Sequence, residues 1–377
     1  NVPISIIVAS AQLLQDTGSR DIKELQLVVP GLTVTSTSNE ALTTARIRGI
    51  GTVGDNTGLE SSVGIVIDGV YRPRNGVGFG DLGELERIEV LKGPQAGLYG
   101  RNTLGGAVLI TTGQPTDERF ARLDASYAQF GSKDVNGTVN MPISDSVLLR
   151  TTAWYNDVDG GYYQSGIVDQ NLDASSETGG RVTLSVLPNE RTLFTLSAEF
   201  TDTDVQALAG FAGVVDGAQL GPAPLPPESR RNVLRDDLGH LDQDAARING
   251  KVDFDTNVGT FVAVAGWREI EVRDPGSDFD GTAFAASYAD FLASPSEDPL
   301  ATPSPWIYTR DDHDKSLIGE LRYLTPDDGG PLRPQIGAGG IESPDVVAPE
   351  VRERQAMDRR TLRAKPAAVR GTHDIRI

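Results

Sequence analysis

Two kinds of hydrophobic patterning divide the chain. Up to about residue 117, short apolar runs at Val63–Val70, Glu86–Leu91 and Ala107–Thr112 alternate with Gly-rich and polar stretches, as in strands packed into a small core. Ser10 and Ser19 are placed as N-caps of two short helices, the first stopped near Gly18 and the second carrying Ile22 and Leu25 on one face before Pro30-Gly31 ends it. The pattern predicts a small mixed α/β domain over 1–117. From about Arg119 the text changes to segments of about ten residues with period two. Ala121, Leu123, Ala125 and Tyr127 oppose Arg122, Asp124 and Ser126, and Val135, Gly137, Val139 and Met141 oppose Asn136, Thr138 and Asn140. Val147, Leu149, Thr151, Ala153 and Tyr155 make one face of a third segment, and Val182, Leu184 and Val186 oppose Arg181, Thr183 and Ser185. Ile248, Gly250, Val252 and Phe254 oppose Arg247, Asn249, Lys251 and Asp253. Further segments lie at Thr192–Phe200, Thr260–Arg268, Ser316–Leu324 and Arg333–Gly340.

The joins between these segments alternate in length. Pro142–Asp145, Pro188–Arg191, Asp255–Val258 and Thr325–Pro331 are short, whereas Asp157–Ser176, Asp202–Asp244 and Arg273–Lys315 are long and polar. A transmembrane β-barrel has short periplasmic turns and longer outer loops, with one strand face toward lipid and the other toward a polar lumen. A soluble β-sandwich also shows period two, but it has no reason to gather its long loops at one end. The expected fold is therefore a small mixed α/β domain followed by antiparallel transmembrane β-barrel strands, over 118–340. No run of about 18 apolar residues offers a membrane-spanning helix, and a barrel needs none.

Charge and composition narrow the function. A net charge of −19 opposes a nucleic-acid footprint and suits acidic outer loops such as Asp157–Asp173 and Asp274–Asp298. With no cysteine there is no disulfide or thiolate metal site. The three histidines, His240, His313 and His373, fall at no zinc-like spacing. The RDDHD stretch from Arg310 to Asp314 could hold a cation, but it reads first as a solvated acidic loop. No Gly-rich phosphate loop or nucleophile elbow sits in a strand-to-helix setting. No catalytic residue, metal or cofactor is expected.

The most informative stretch is LERIEVLKGPQAGLYGRNTLGGAVLITT, Leu85 to Thr112. Ile88 and Val90 form a strand stopped at Gly93-Pro94, with Glu86, Arg87, Glu89 and Lys92 placing both signs of charge on its other face. Gly97, Gly100, Gly105 and Gly106 around Tyr99, Arg101 and Asn102 suit positive backbone angles or close backbone approach. With the opening VPISIIVASAQLLQDTGSRDIKELQLVVPGLTV, ARIRGIG at 45–51 and SSVGIVIDGVYRPR at 61–74, this stretch gives four ordered elements. Together they resemble the plug domain of the TonB-dependent outer-membrane receptors. The resemblance covers the plug and the first third or so of the barrel.

The resemblance implies a cell outer-membrane protein that takes up a scarce nutrient, such as a ferric siderophore. The plug is then moved by the inner-membrane TonB energy-transducing complex, whose coupling box is not in this chain. Membrane lipid is a further expected partner; nucleic acid is not. A plugged lumen goes with about 22 strands, whereas about 8 give an interior that side chains fill. The chain thus reads as part of a 22-stranded type, and 341–377, where alternation stops, as an aberrant, disordered tail. The competing readings are a truncated non-transporting remnant or surface ligand-binding protein and, more weakly, a passive porin. On the family pattern the apical plug loops meet the ligand, which singles out Arg72, Arg74 and Asn75, with Tyr71 and Phe79 as apolar neighbours. Tyr162 and Tyr163 could stack on a ligand or mark the membrane interface. Arg48, Glu86, Arg87, Glu89 and Lys92 are expected to pair across the plug and barrel with charges such as Arg122, Asp124, Arg150 and Arg181, because a buried unpaired charge costs several kcal/mol.

Overall fold

A computed structural model describes residues 5–17, 23–36, 43–52, 61–72, 83–99, 102–160, 164–165, 171, 173–206, 232–233, 240–278, 306–325, 335–342 and 350–353. The first domain comprises β1 (Ser5–Ser10), α1 (Ala11–Thr17), a 3-10 turn at Glu24–Leu27, β2 (Leu32–Ser36), β3 (Thr43–Ile47), β4 (Ile50–Gly51), β5 (Val63–Ile67), β6 (Val70–Arg72), β7 (Leu85–Lys92), α2 (Ala96–Tyr99) and β8 (Gly106–Thr112). Its main sheet has the order β1-β7-β8-β5-β6, antiparallel except where β5 runs parallel to β8, beside a smaller β2-β3-β4 sheet. The predicted mixed α/β domain is present. Ser10 caps α1, its Oγ accepting from the Leu13 amide at 3.4 Å. The second expected helix is a 3-10 turn without a side-chain cap, packed on the core through Leu25, and Ser19 lies outside the described residues.

Two tight hairpins come directly from sequence. Arg48-Gly49 and Asp68-Gly69 all have positive φ (54° and 80°, 50° and 84°). Each pair closes a two-residue turn, between Ile47 and Ile50 and between Ile67 and Val70. These are the paired left-handed angles that a type I′ turn needs, and X-Gly supplies them most easily. Asp68 adds a lock, its carboxylate accepting from the Thr112 amide at 2.9 Å and the Thr112 hydroxyl at 2.8 Å. Gly106, at φ 144°, brings β8 against the Leu91 carbonyl and Ile47, the close approach that the glycine density implied. The core between these layers is apolar throughout, with Ile47, Ile65, Ile88, Ile110, Val63 and Val90 buried.

The second domain is one antiparallel sheet of long strands: β9 (Phe120–Tyr127), β10 (Lys133–Ser144), β11 (Val147–Val158), β13 (Ser175–Asn189), β14 (Thr192–Val205), β16 (Leu241–Thr256), β17 (Gly259–Asp278), β18 (Trp306–Leu324) and β19 (Gln335–Glu342). The short strands β12 (Gln164–Ser165) and β15 (Asn232–Val233) pair with each other within the long joins. The sheet runs β19-β18-β17-β16-β14-β13-β11-β10-β9, a meander in chain order. β20 (Glu350–Glu353) adds to β18 beyond β19, pairing with Trp306–Thr309. Backbone pairing thus continues past Gly340, where sequence alternation stops; residues 354–377 lie outside the described residues. Among the described residues β9 and β19 do not meet, so the sheet is an open wall.

Every predicted segment is a strand, but most strands extend farther. β17 and β18 cover 20 and 19 residues, whereas about 9–11 suffice to cross a bilayer. The extra length lies in stretches such as Glu269–Asp278, whose polar outer positions read as loop although the ladder continues through them. The long joins do fall at one end. At that end the first join, Ala128–Ser132, is short, closed by a 3-10 turn with Phe130 at φ 64°.

The wall is inverted relative to a water-soluble sheet. Val135, Val139, Met141, Tyr155, Val182, Phe194, Leu196, Phe200, Ile248 and Phe261 are exposed, while Thr138, Asn140, Arg150, Thr152, Arg181, Thr183, Arg247, Arg268 and Ser316 are buried. Apolar residues facing outward and polar ones facing the plug fit a solvent that is lipid outside and protein or water within. A groove of about 810 Å³ lined by Leu184, Leu196, Gly250, Ala265 and Leu321 lies on that outward face, on the side away from the plug.

Candidate functional site

The plug meets the inner face of the wall at a few polar contacts. The strongest is built from Gly83 and Glu84, just before β7, and Arg150 and Trp154 on β11. Arg150 donates Nη2 and Nε to Glu84 Oε2 at 2.6 and 2.9 Å, and Nη1 to the Gln114 carbonyl at 2.5 Å. Both side chains are about nine-tenths buried, at 9% and 10% exposure. The Arg150 guanidinium also lies over the Phe120 ring, 5.1 Å from its centroid. Arg122 adds a second cation to Glu84 at 3.7 Å. Beside this pair Trp154 packs on Gly83, where a Cβ would come within 2.7 Å of the ring. Its Nε1 donates to Glu177 at 3.0 Å. At the exit from the plug, Asn140 holds the linker: it accepts from the Thr116 amide and donates to the Thr116 and Glu118 carbonyls.

The second contact is the β5–β6 hairpin. Its tip carbonyl, Gly69 O, accepts from Arg322 Nη2 of β18 at 3.1 Å. Val70 packs with Val262, Val264 and Ile318 of the wall, in space left by Gly266, whose Cβ would lie 2.8 Å from Val70. Arg72 then enters the wall's charged region, 3% exposed. Burial first, and the neighbouring Arg247 next, pull its pKa down from the usual guanidinium value to about 9; Glu199 acts in the opposite direction.

The structure places several of the residues singled out in the sequence. Arg72 is buried, with Arg247, Arg268 and Glu199 of the wall among its electrostatic neighbours. Tyr71, on the other face of β6, is half-buried and accepts from Asn102 Nδ2 at 3.2 Å, a contact within the plug. Arg74, Asn75, Phe79, Tyr162 and Tyr163 lie outside the described residues. Of the five charges assigned to plug–barrel pairing, Glu86 and Glu89 both pair with Arg87 on their own strand. Lys92 donates to the Pro30 carbonyl at 2.5 Å, and Arg48 is an exposed turn residue whose amide bonds to the Gly31 carbonyl. Their described partners therefore lie in the plug. On the wall side Arg150 and Arg122 do reach the plug, through Glu84. Asp124 pairs with Arg122 at 2.8 Å, and Arg181 with Glu199 on β14 at 2.6 Å. Glu84 and Trp154 had no sequence signal beyond an acid next to a glycine and a tryptophan on the polar face of a strand.

Two histidines meet carboxylates above the apolar band. His240 lies between Asp204 (Nδ1, 3.4 Å) and Asp242 (Nε2, 2.9 Å). One ligand atom from each of these three residues lies within 4.8 Å of the others, and no ion is present among them. His313 contacts Glu269 across the strand pair at 2.8 Å, where Lys315 also binds at 2.7 Å. The RDDHD stretch therefore gathers its partners from β17, and the group already includes an ammonium.

An inverted strand wall with a compact plug seated on its polar face defines a fold of the plugged-barrel class. Residues 1–107 match the TonB-dependent Receptor Plug Domain model. The pesticin receptor of Yersinia pestis is 26% identical over 212 residues, 55% of this chain and 31% of that protein. The iron-regulated outer membrane virulence protein of Vibrio cholerae is 30% identical over 190 residues, 46% of this chain and 28% of that protein. In fold, the chain is similar to the ferric yersiniabactin uptake receptor of Yersinia pestis, with TM-score 0.70 and 19% identity over 91% of this chain and 50% of that one. The ferripyoverdine receptor of Pseudomonas aeruginosa gives TM-score 0.66 and 19% identity over 91% and 42%. Residues 1–107 are thus a TonB-dependent receptor plug domain, and the chain as a whole shares the fold of the outer-membrane receptors it is similar to. It spans about half the length of the first solved structure and under a third of these two curated relatives.

Proposed function

We propose that this chain serves energy-coupled uptake of a scarce nutrient of the ferric-siderophore class, with the plug as both seal and movable part. The observation that carries the reading is the form of the plug seat. The plug has its own apolar core, and among the described residues it is held to the wall by discrete polar contacts, Glu84 with Arg150 and Gly69 with Arg322, and by a small apolar patch at Val70. Such contacts hold in a closed interface and can be exchanged for water when the plug is pulled, without unfolding its core. The outer membrane has no nucleotide or ion gradient of its own, so the pull is assigned to the TonB complex. The proposed ligand contacts are Arg74, Asn75 and Phe79 in the segment after β6, where a guanidinium fork suits a carboxylate or hydroxamate. The ferric class is drawn from the names of the similar solved receptors, which include one bound to ferripyoverdine.

The test is uptake of radioiron-labelled siderophores by cells carrying the receptor that contains this chain, with the inner-membrane motor intact or disabled. Accumulation that stops with the motor supports transport. Surface binding equal in both strains, with no accumulation in either, makes the protein a ligand-binding surface protein instead.

A further inference from the structure

One row of the wall's inner face runs Arg181, Glu199, Arg247, Arg268 and Ser316, each directly opposite the next on β13, β14, β16, β17 and β18. Arg181, Arg247, Arg268 and Ser316 are buried, at 2–5% exposure, and the Glu199 side chain is 8% exposed. Glu199 sits between two of the arginines, with Oε2 on Arg181 and Oε1 on Arg247. Arg268 gives Nη2 to Asp314 at 2.8 Å. Arg247 and Arg268 then face each other as directly opposed like charges, an arrangement that destabilises a strand pair. The plug adds a third cation to this point: Arg72 interacts electrostatically with Arg247 and Arg268 as well as with Glu199. Its Nε–H is buried without an acceptor, and so is the Ser316 hydroxyl at the end of the row. Arg247 and Arg268 each keep a carboxylate, whereas the buried Arg72 guanidinium brings a further charge with a donor left unsatisfied, and a charge taken out of water without a partner costs several kcal/mol.

We propose that Arg72, Arg247, Arg268 and Ser316 form a binding site for a small inorganic oxyanion of the phosphate class at the interface of plug and wall. A tetrahedral oxyanion offers several acceptors at once. Guanidinium forks pair with two oxygens each, and a serine hydroxyl adds a single bond. The oxyanion would separate Arg247 from Arg268 electrostatically and give the Arg72 Nε–H its acceptor. Because its ligands come from β6 on one side and β16, β17 and β18 on the other, the anion joins the plug to the wall, and its loss loosens that seat. The site is internal, and it does not depend on which nutrient is carried.

The experiment titrates inorganic phosphate against the full chain in detergent micelles, with gluconate holding ionic strength constant, and follows the Tm and the phosphorus NMR linewidth. The wild-type chain is expected to show a saturable rise in Tm and saturable line broadening. Phosphate also raises Tm by exclusion from protein surfaces, but that contribution does not saturate and persists in every variant. Arg72→Met should weaken the saturable binding about 10- to 100-fold, the loss of one or two charge-assisted bonds. Ser316→Ala should weaken it about three- to tenfold. Lys133→Gln, at an exposed pair remote from the row, should leave it unchanged. Absence of a saturable component in the wild-type chain overturns the proposal, as does equal saturable binding in Ser316→Ala and wild type. Should Arg72→Met not fold, Ser316→Ala against Lys133→Gln decides.

Discussion

Replacing Glu84 by Gln tests whether a buried ion pair holds the plug to the wall. The change keeps shape but leaves the Arg150 guanidinium, 9% exposed, facing an amide. Breaking a buried pair by removing one partner costs about 3–5 kcal/mol. Arg150 keeps the Gln114 carbonyl and lies over Phe120, so the expected cost is about 3 kcal/mol, the low end of that range. Removing both charges, in Glu84→Gln with Arg150→Met, should return stability to within about 1 kcal/mol of wild type, because an apolar replacement leaves no stranded charge. The coupling energy is then about 2 kcal/mol or more. Trp154 is a built-in reporter, since its ring packs on Gly83, next to Glu84. With Trp267 and Trp306 changed to Phe, urea titration in micelles followed by Trp154 emission measures plug release. A single-variant cost under about 0.5 kcal/mol, the level of an ordinary surface change, would refute the reasoning, and so would strictly additive effects in the double variant.

Other outcomes follow from the same structure. Gly83→Ala adds a methyl group at φ 64° and 2.7 Å from Trp154, and should loosen the seat by about 1–3 kcal/mol, read by the same emission change. Asp68→Ala removes the acceptor of the Thr112 amide and hydroxyl; a buried donor left unsatisfied costs about 1–3 kcal/mol, so plug unfolding should shift while Trp154 stays docked at low urea. Leu196→Arg, 52% exposed on the outward face, should cost about 2–4 kcal/mol in a bilayer if it lies near the midplane. In a water-soluble sheet the same exposed substitution would be close to neutral, so refolding yield in lipid vesicles separates the two.

Much of the fold was legible because the wall's two solvents write a period of two into each strand. Ile248, Gly250, Val252 and Phe254 are separable from Arg247, Asn249, Lys251 and Asp253 by parity alone, and the structure turns the first set outward. The X-Gly turns at Arg48-Gly49 and Asp68-Gly69 were missed, since the apolar run Val63–Val70 reads straight through the second, and their shared positive angles emerge only from the backbone. Strand length was misjudged where the ladder rises above the apolar band. There Glu269, Glu271 and Arg273 take the positions that are apolar within the band while Ile270 and Val272 are buried, so the parity is reversed, yet the backbones stay paired. The seat was largely hidden. Glu84 and Arg150 lie 66 positions apart, and their meeting depends on how the plug is rotated inside the wall. Charge on β7 suggested Glu86, Glu89 and Lys92 as wall contacts, but those side chains satisfy one another and the plug backbone. Arg72 was assigned to an apical loop on the family pattern, whereas a separate strand, β6, runs on from Val70 through Arg72 and buries it.

The central claim is that this sheet spans a membrane with its polar face on the plug. The chain has no native cysteine, so single cysteines from Thr192 to Val205 can be spin-labelled one at a time in lipid vesicles and compared for collision with oxygen and with a water-soluble nickel chelate. Phe194, Leu196, Ala198 and Phe200 should be open to oxygen and closed to nickel, alternating with Thr195, Ser197 and Glu199, which should be shielded from oxygen. Labels open to nickel along the whole strand, or a profile without period two, would contradict the account.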